Sequence, residues 1–368
     1  MAQPDVLIVG GGVIGSACAR ALALQGVKVQ VVDDGREPGA ATGASAGMLT
    51  PFADVSQDDP MLALGIRGRD RYRELAPELK AETGMDIQLW TGGIFHLAFT
   101  PTDVERLKAD VAWQRQSGHT SDWLDVDELR QAAPGVSHDA WGALLAAEDG
   151  SLDPKALHDA LRASAEMHGA TFTRGEKVER VKIEGDRAVG VRTATESISA
   201  GAVLIAAGCW SGRLRGLPRP LSVEPVRGQM AAFDWPAGLA HCIAFGLGVY
   251  ALRRGNEALA GSTMEYAGFE PTVTDDAIQH IAQTAARLFP ALAGKPVRRS
   301  WAGLRPGTPD GRPFIGKDPA VAGLWYAVGH GRNGVGLAAV TGDIIADLYA
   351  GHSVEHDLAT TSPGRFWT

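Results

Sequence analysis

The sequence predicts an α/β protein (α+β overall) in which a Rossmann-like domain with a parallel sheet is joined to a second domain with an antiparallel sheet. Three observations support this fold class. The first 35 residues form the pattern strand, glycine-rich turn, helix, strand. Residues 223–233 and 248–261 instead alternate apolar and polar residues, as half-exposed antiparallel strands do. The 368 residues are enough for two to three domains of roughly 150 residues each.

The order of the predicted elements divides the chain between the two domains. Residues 1–85, 151–222 and 302–368 are expected to form the Rossmann-like domain, and residues 86–150 and 223–301 the second domain, with a site between them. Between the opening unit and the carboxyl end we expect helix 61–82, strand 92–99, helices 101–116, 126–133 and 154–168, hairpin 177–193, strand 203–206, helix 275–288, strand 324–328 and helix 337–349.

Charge and cysteine content exclude several classes of protein. The net charge is −8, which argues against a nucleic-acid partner or an anionic membrane surface. The uncharged stretch 236–252 contains a proline, a histidine and several glycines, so we expect it to be buried and not inserted in a membrane. The first cation is Arg20, so no signal peptide is predicted. Three cysteines without a CxxC pattern predict a reduced, cytoplasmic chain with no disulfide and no metal site.

The opening unit carries a glycine motif of the kind that binds dinucleotides. Gly10, Gly12 and Gly15 lie between an apolar strand and a helix, and Asp33 closes the next strand. In such a motif the first glycine makes the tight turn, the second lets the backbone approach a pyrophosphate, and the third lets the helix pack closely. The acid accepts hydrogen bonds from a ribose. A plain glycine-rich turn is the alternative, and the motif alone does not distinguish FAD from NAD.

A second glycine-rich loop, residues 329–336, also precedes a helix. Such a loop suits a second part of a long cofactor, because its N–H groups can face the electron-rich edge of a flavin ring. A simple tight turn is the alternative. His330 is expected either to contact the cofactor or to belong to that turn.

Residues 43–47 match the G-x-S-x-G pattern of a hydrolase nucleophile, with Ser45 at its centre. A nucleophile elbow needs a strand directly before the serine and a helix directly after it. Neither is predicted here, so a stretch of small residues packed against a ligand is the favoured interpretation, and a serine hydrolase is a remote alternative.

Three polar side chains are candidates for substrate binding. Arg305 stands among glycines and prolines, where a fixed guanidinium can bind a carboxylate in a bidentate manner. It could instead be a surface arginine paired with Asp310. The hydroxyl of Tyr250 could add a second bond or simply pack in its strand, and Arg332 lies in the second glycine loop.

Five segments occur in an order that resembles the glycine oxidase branch of the D-amino-acid oxidase superfamily of FAD flavoproteins. They are VGGGVIGS at 9–16, ASAGML at 44–49, TGGIFHLA at 91–98, WAGLRPGTPDG at 301–311 and GHGRNG at 329–334. The resemblance extends from residue 5 to about residue 349. It implies an FAD-binding Rossmann-like domain and a substrate-binding domain.

The resemblance also implies roles for individual residues. The substrate would be bound by Arg305, Tyr250 and Arg332, and no side chain would act as the catalytic base. FAD would be bound without a covalent link, because no cysteine lies in the 301–336 segment. The implied cofactor contacts are Gly10, Gly12, Val13, Ile14, Gly15, Asp33, Asp34, Thr42, Ala46, Gly47, Met48, Val178, His330, Gly331, Arg332, Asn333, Gly334, Val335 and Gly336.

The implied activity is FAD-dependent oxidative deamination of glycine and related small amines such as sarcosine and D-amino acids. We expect hydride transfer from the substrate Cα to flavin N5, hydrolysis of the imine to a 2-oxo acid (glyoxylate from glycine), and reduction of O2 to H2O2. Gly331 replaces a bulkier residue of some relatives, which predicts a wider pocket. Thiazole synthase, as acceptor of the imine in thiamine biosynthesis, and a second copy of the chain are candidate partners. The alternative within the same class is a D-amino-acid dehydrogenase that passes electrons to a quinone.

Overall fold

The computed structural model describes residues 3–35, 39–53, 55–355 and 357–367. The helices are α1 (Val13–Leu24), α2 (Ala41–Ala44), α3 (Leu62–Thr83), α4 (Pro101–Gln116), α5 (Val126–Ala132), α6 (Pro154–Met167), α7 (Asp275–Leu288), α8 (Gly334–Ala350) and α9 (Leu358–Thr361). The strands are β1 (Val6–Val9), β2 (Val29–Asp33), β3 (Met48–Leu49), β4 (Ile94–Leu97), β5 (Ser121–Leu124), β6 (Ala143–Ala146), β7 (Gly150–Ser151), β8 (Thr171–Arg174), β9 (Val178–Glu184), β10 (Arg187–Thr193), β11 (Ser197–Ser199), β12 (Ala202–Ile205), β13 (Glu224–Asp234), β14 (Ala244–Gly246), β15 (Val249–Arg254), β16 (Glu257–Gly261), β17 (Arg299–Gly307), β18 (Phe314–Lys317) and β19 (Leu324–Val328).

A six-stranded sheet with the order β18-β19-β12-β1-β2-β8 forms one layer of the molecule. Its strands are parallel except for the edge strand β18. Strand β1 is buried along its whole length, because helices α1 and α8 cover one face of the sheet and the ribbon β9–β10–β11 covers the other. Burial on both faces explains why this strand is a continuous apolar run without alternation. The predicted Rossmann-like parallel sheet is confirmed.

The second layer is an eight-stranded sheet with the order β17-β13-β16-β15-β14-β4-β6-β5. Its pairs are antiparallel except for β14 with β4. Residues 248–261 form two strands and not one, because the chain turns at Gly255, where φ is 57°. The prediction of half-exposed strands is wrong for β13, which is buried along nearly its full length. Helix α7 packs on one face of β13, and the other face looks toward the cavity described below.

The division into two domains stays a prediction, and one of its boundaries falls inside a strand. The parallel sheet takes its strands from the three segments predicted for it, whereas β17 crosses the boundary predicted between residues 301 and 302. Strand β17 therefore carries the substrate sheet into the segment expected to be part of the cofactor domain. Among the described residues, no helix combines the length and the apolar character that a membrane crossing needs.

Candidate active site

A long cavity of about 2140 Å³ is lined by residues of both large sheets. It begins where β1, β2 and β12 end, which is where open parallel sheets bind nucleotides. It continues past the β3 segment to β13, β15 and β17 of the antiparallel sheet. Small-molecule pockets commonly measure about 300–1,000 Å³. The cavity therefore has room for an extended cofactor together with a substrate.

The glycine turn at the start of the cavity has no space for side chains. Gly10 has φ of 104°, and a Cβ there would lie 2.5 Å from the Ala206 carbonyl oxygen. A Cβ at Gly15 would lie 1.9 Å from the Gly10 oxygen, so this glycine lets α1 pack against the turn. Gly15 itself lies behind the cavity wall, whereas Val13 and Ile14 line the cavity at the amino end of α1. A helix start of this kind attracts phosphate.

Asp33 ties the glycine turn to the end of β2. One carboxylate oxygen accepts the Gly11 N–H at 2.7 Å, and the other accepts the Gly35 N–H at 2.8 Å. Asp33, Asp34 and Val178 all line this end of the cavity. The structure thus brings together the residues predicted to contact the nucleoside half of a dinucleotide.

The middle of the cavity is lined by residues 39–48, which approach it from α2 and β3. The Thr42 hydroxyl accepts the Val13 N–H at 3.1 Å and so joins this segment to α1. Gly47 has φ of 74°, and a Cβ there would lie 2.0 Å from the Leu152 oxygen. Ala46 and Met48, on either side of Gly47, also line the cavity.

Ser45 does not have the geometry of a hydrolase nucleophile. It follows helix α2 and precedes strand β3, which reverses the order that a nucleophile elbow requires. Its Oγ accepts the Gly47 N–H at 3.1 Å, as in a tight turn. The serine hydrolase alternative is therefore wrong.

The second glycine loop forms the far wall of the middle region. Its residues 331–333 make a single 3-10 turn, and α8 begins directly after them. His330 is only 2% exposed, and its Nε2 lies 3.0 Å from the Thr341 hydroxyl. Burial lowers the pKa of His330 to about 3, so its imidazole is neutral at physiological pH.

Most of the loop residues that were predicted to contact the cofactor lie along the cavity. Residues from His330 to Val335 line it, and the side chains of Arg332 and Asn333 are exposed. Gly336 is the exception: it lies outside the lining, and its carbonyl faces α3, where a Cβ at Gly68 would lie 2.5 Å from it. Gly336 therefore belongs to the packing of α8 on α3.

Arg305 reaches the other end of the cavity from β17. Its guanidinium donates to the Thr263 carbonyl at 3.0 Å and to the Ser262 hydroxyl at 2.7 Å. Burial is the main cause that lowers the pKa of Arg305, but an arginine remains charged in a protein. The alternative pairing with Asp310 is wrong, because Asp310 forms its ion pair with Arg365.

Tyr250 projects from β15 toward the same end. Its hydroxyl donates to the Met230 sulfur at 3.3 Å. Burial raises the pKa of Tyr250, and the charge of Arg305 opposes this rise, so the phenol stays protonated and able to donate. The guanidinium of Arg305 and the phenol of Tyr250, both predicted to bind the substrate, thus line the same end of the cavity.

The residues that line the cavity are suited to bind FAD. The glycine turn packs tightly against β12 and α1 through Gly10 and Gly15, the cavity extends well beyond a nucleotide, and the loop at 330–335 closes its middle region. The family described as FAD dependent oxidoreductase (DAO) matches residues 5–348. The chain belongs to this family. It is therefore an FAD-dependent oxidoreductase, and the resemblance stated from its motifs is confirmed.

Similar proteins within the family include glycine oxidases and a bifunctional protein. The glycine oxidase of Pseudomonas aeruginosa is 35% identical over 97% of this chain and 98% of its own length. The bifunctional protein ThiO/ThiG of Synechocystis is 36% identical over 99% of this chain, which spans 54% of that longer protein. The crystal structure of glycine oxidase from Geobacillus kaustophilus matches with a TM-score of 0.94 and 32% identity, covering all of both chains.

Several residues of the site were missed by the sequence analysis. Gly228 lies on β13, opposite Gly303 of β17, and leaves space for the Arg305 guanidinium. A Cβ at Gly228 would lie 2.2 Å from a guanidinium nitrogen. A glycine inside a predicted strand signals a close approach, and that signal was available. His158 on α6 contacts the Gly11 oxygen at 2.6 Å, and no local pattern could have indicated it.

Proposed function

We propose that this flavoprotein is an oxidase of glycine and related small amines, including sarcosine and D-amino acids. Glycine, water and O2 would give glyoxylate, ammonia and H2O2. The observation that carries the proposal is the largely buried guanidinium of Arg305 beside the Tyr250 hydroxyl, at the end of a cavity that continues to the cofactor segments.

The substrate carboxylate would bind between Arg305 and Tyr250. The guanidinium has five N–H groups, and its bonds to Ser262 and Thr263 leave others for a ligand. The charge of the Glu265 carboxylate acts on Arg305, but this carboxylate already accepts hydrogen bonds from Arg227 and Gln229. An anionic group therefore meets net positive charge here, which favours an amino acid over a neutral amine.

The walls around this anchor are largely apolar. Met230, Phe245 and Trp301 line the cavity near Arg305, and Trp301 is fixed by its indole N–H, which donates to the Ala44 oxygen at 3.0 Å. FAD, when bound, supplies a hydride acceptor that O2 can reoxidise. The chain's own contribution is to hold the carboxylate, exclude water and present the Cα–H, so no side-chain base is needed if the amine binds neutral.

The cofactor contacts follow the cavity. The glycine turn with α1 would hold the pyrophosphate, and Asp33 would accept from the ribose. Residues Ala46–Met48 and the 330–335 loop would enclose the flavin ring. We propose non-covalent binding, and acid precipitation should therefore release all the yellow colour into the supernatant; colour retained in the pellet would contradict this.

We propose thiazole synthase as a partner. Fusion of a similar chain to a second unit in the ThiO/ThiG protein supports thiazole synthase as acceptor of the imine product. A homo-oligomer stays a prediction. We also propose a cytoplasmic location, which is supported by the burial of the thiols of Cys18, Cys209 and Cys242.

The test is the visible spectrum of the purified protein. Anaerobic addition of glycine, sarcosine or D-alanine should bleach the flavin band, and admission of air should restore it with one H2O2 per amine consumed. A flavin that none of the three amines bleaches would refute the proposal. Bleaching without peroxide, but with reduction of an added quinone, would identify the dehydrogenase alternative instead.

A further inference from the structure

Arg254 connects the substrate sheet to the walls of the cofactor cavity. It lies on β15, on the same face of the strand as Tyr250 four residues earlier. Its side chain is 14% exposed. One terminal nitrogen donates to the Ala46 oxygen at 3.0 Å and to the Leu152 oxygen at 2.7 Å, and the other lies 3.5 Å from an Asp153 carboxylate oxygen.

These partners belong to two separate walls of the cavity. Ala46 lies in the segment between α2 and β3, which lines the middle of the cavity. Asp153 caps helix α6 by accepting two of its first N–H groups, and the same helix carries His158 against the glycine turn. Arg254 lies outside the lining, directly behind both walls. One guanidinium thus connects β15, the segment between α2 and β3, and the start of α6, which meet at the cavity.

The chemistry of the contact requires an arginine. The carbonyls of Ala46 and Leu152 belong to residues that are 3% and 0% exposed, so no water replaces a lost donor easily. A planar guanidinium can serve both carbonyls and the carboxylate at once, whereas an ammonium is a single point charge. Burial lowers the pKa of Arg254, and the charge of Asp153 opposes this.

We propose that Arg254 is a positioning residue that sets the spacing between the Tyr250 strand and the Ala46–Met48 wall. This inference rests on the proposed function, in which the spacing sets the distance between the substrate anchor and the flavin. Arg254 lies outside the cavity lining, so its loss should shift the Ala46–Met48 wall and weaken the binding of FAD, while the Arg305–Tyr250 anchor for the substrate stays intact.

The experiment compares Arg254→Met and Arg254→Lys with the matched control Arg253→Met. Arg253 is the neighbouring residue on the opposite face of β15, where it donates to the Gly255 oxygen in its own turn and lies over the Trp235 ring. The measurements on each holoenzyme are the FAD dissociation constant, the limiting rate of anaerobic flavin reduction, and the glycine dissociation constant from the same titration.

For Arg254→Met we expect FAD affinity to fall at least fivefold and the limiting reduction rate at least tenfold, with the glycine dissociation constant within threefold of the parent. Arg254→Lys should recover part of both losses, and Arg253→Met should resemble the parent. Equal values for the Arg254 and Arg253 variants, or a lower melting temperature alone, would overturn the proposal. If Arg254→Met does not accumulate, Arg254→Lys is the test: a loss of at least threefold in FAD affinity and in the limiting reduction rate supports the proposal, and a smaller loss overturns it. Should glycine fail to reduce even the parent flavin, the proposed function fails, and FAD affinity alone still tests Arg254.

Discussion

Gly228→Ala is a small substitution with a large expected effect on substrate binding. Gly228 lies on β13, where its backbone can accept an alanine, but the added Cβ would lie 2.2–2.4 Å from three atoms of the Arg305 guanidinium. An ordinary contact begins near 3.4 Å, so the guanidinium must retreat by about 1.2 Å. A hydrogen bond to a charged group contributes about 1.5–3 kcal/mol, which corresponds to roughly 10- to 150-fold in affinity.

The assay is an anaerobic glycine titration followed by flavin reduction. We expect the apparent dissociation constant of glycine to rise by roughly 10- to 150-fold while FAD stays bound, since the cofactor segments are untouched. Gly336→Ala is the control, because a Cβ there meets nothing within 4 Å. A dissociation constant within twofold of the parent for Gly228→Ala would refute the assignment of Arg305 as the carboxylate anchor.

Three further predictions concern residues of the same cavity. Arg305→Ala should raise KM for glycine by roughly 100-fold or more, as expected for loss of a charged pair of hydrogen bonds, and leave the flavin spectrum present; an unchanged KM would remove its role. Ser45→Ala should retain FAD and most of kcat, because this hydroxyl only closes a turn, and complete loss of activity would revive the nucleophile hypothesis. His330 has a folded pKa of about 3 against 6.5 when unfolded, so the unfolded chain binds the extra proton and stability falls as pH drops below 6.5. Between pH 7 and pH 5 this amounts to about 2 kcal/mol, and urea unfolding at the two values should show that His330→Asn lacks this part of the loss.

The sequence was most informative where structure depends on neighbours in the chain. The glycine turn at Gly10 and the acid at Asp33 could be predicted, because a strand, a turn and a helix start within a few residues of one another. The same holds for the turn around Ser45, where the absence of a preceding strand was visible in the sequence.

What could not be predicted depends on strand register and on partners far along the chain. Gly228 becomes part of the substrate site only because the β13–β17 register sets it opposite Gly303, two residues from Arg305. The sequence left open whether Arg305 pairs with Asp310 at the surface. In the structure Asp310 pairs instead with Arg365, 55 residues further along the chain. Register and long-range pairing follow from the packing of whole sheets, which local patterns do not encode.

The parallel sheet has a consequence for biosynthesis. Strand β19, which neighbours β12 in that sheet, and the loop after it leave the ribosome long after β1, because about 315 residues separate β1 from β19. Pairing of such distant segments is slow, because the connecting chain must first be ordered. The glycine turn after β1 can therefore form early in synthesis, whereas the 330–335 loop, which lines the cavity, can close on a flavin only after β19 has been made. FAD is therefore expected to bind tightly only after this loop has emerged and β19 has paired with β12.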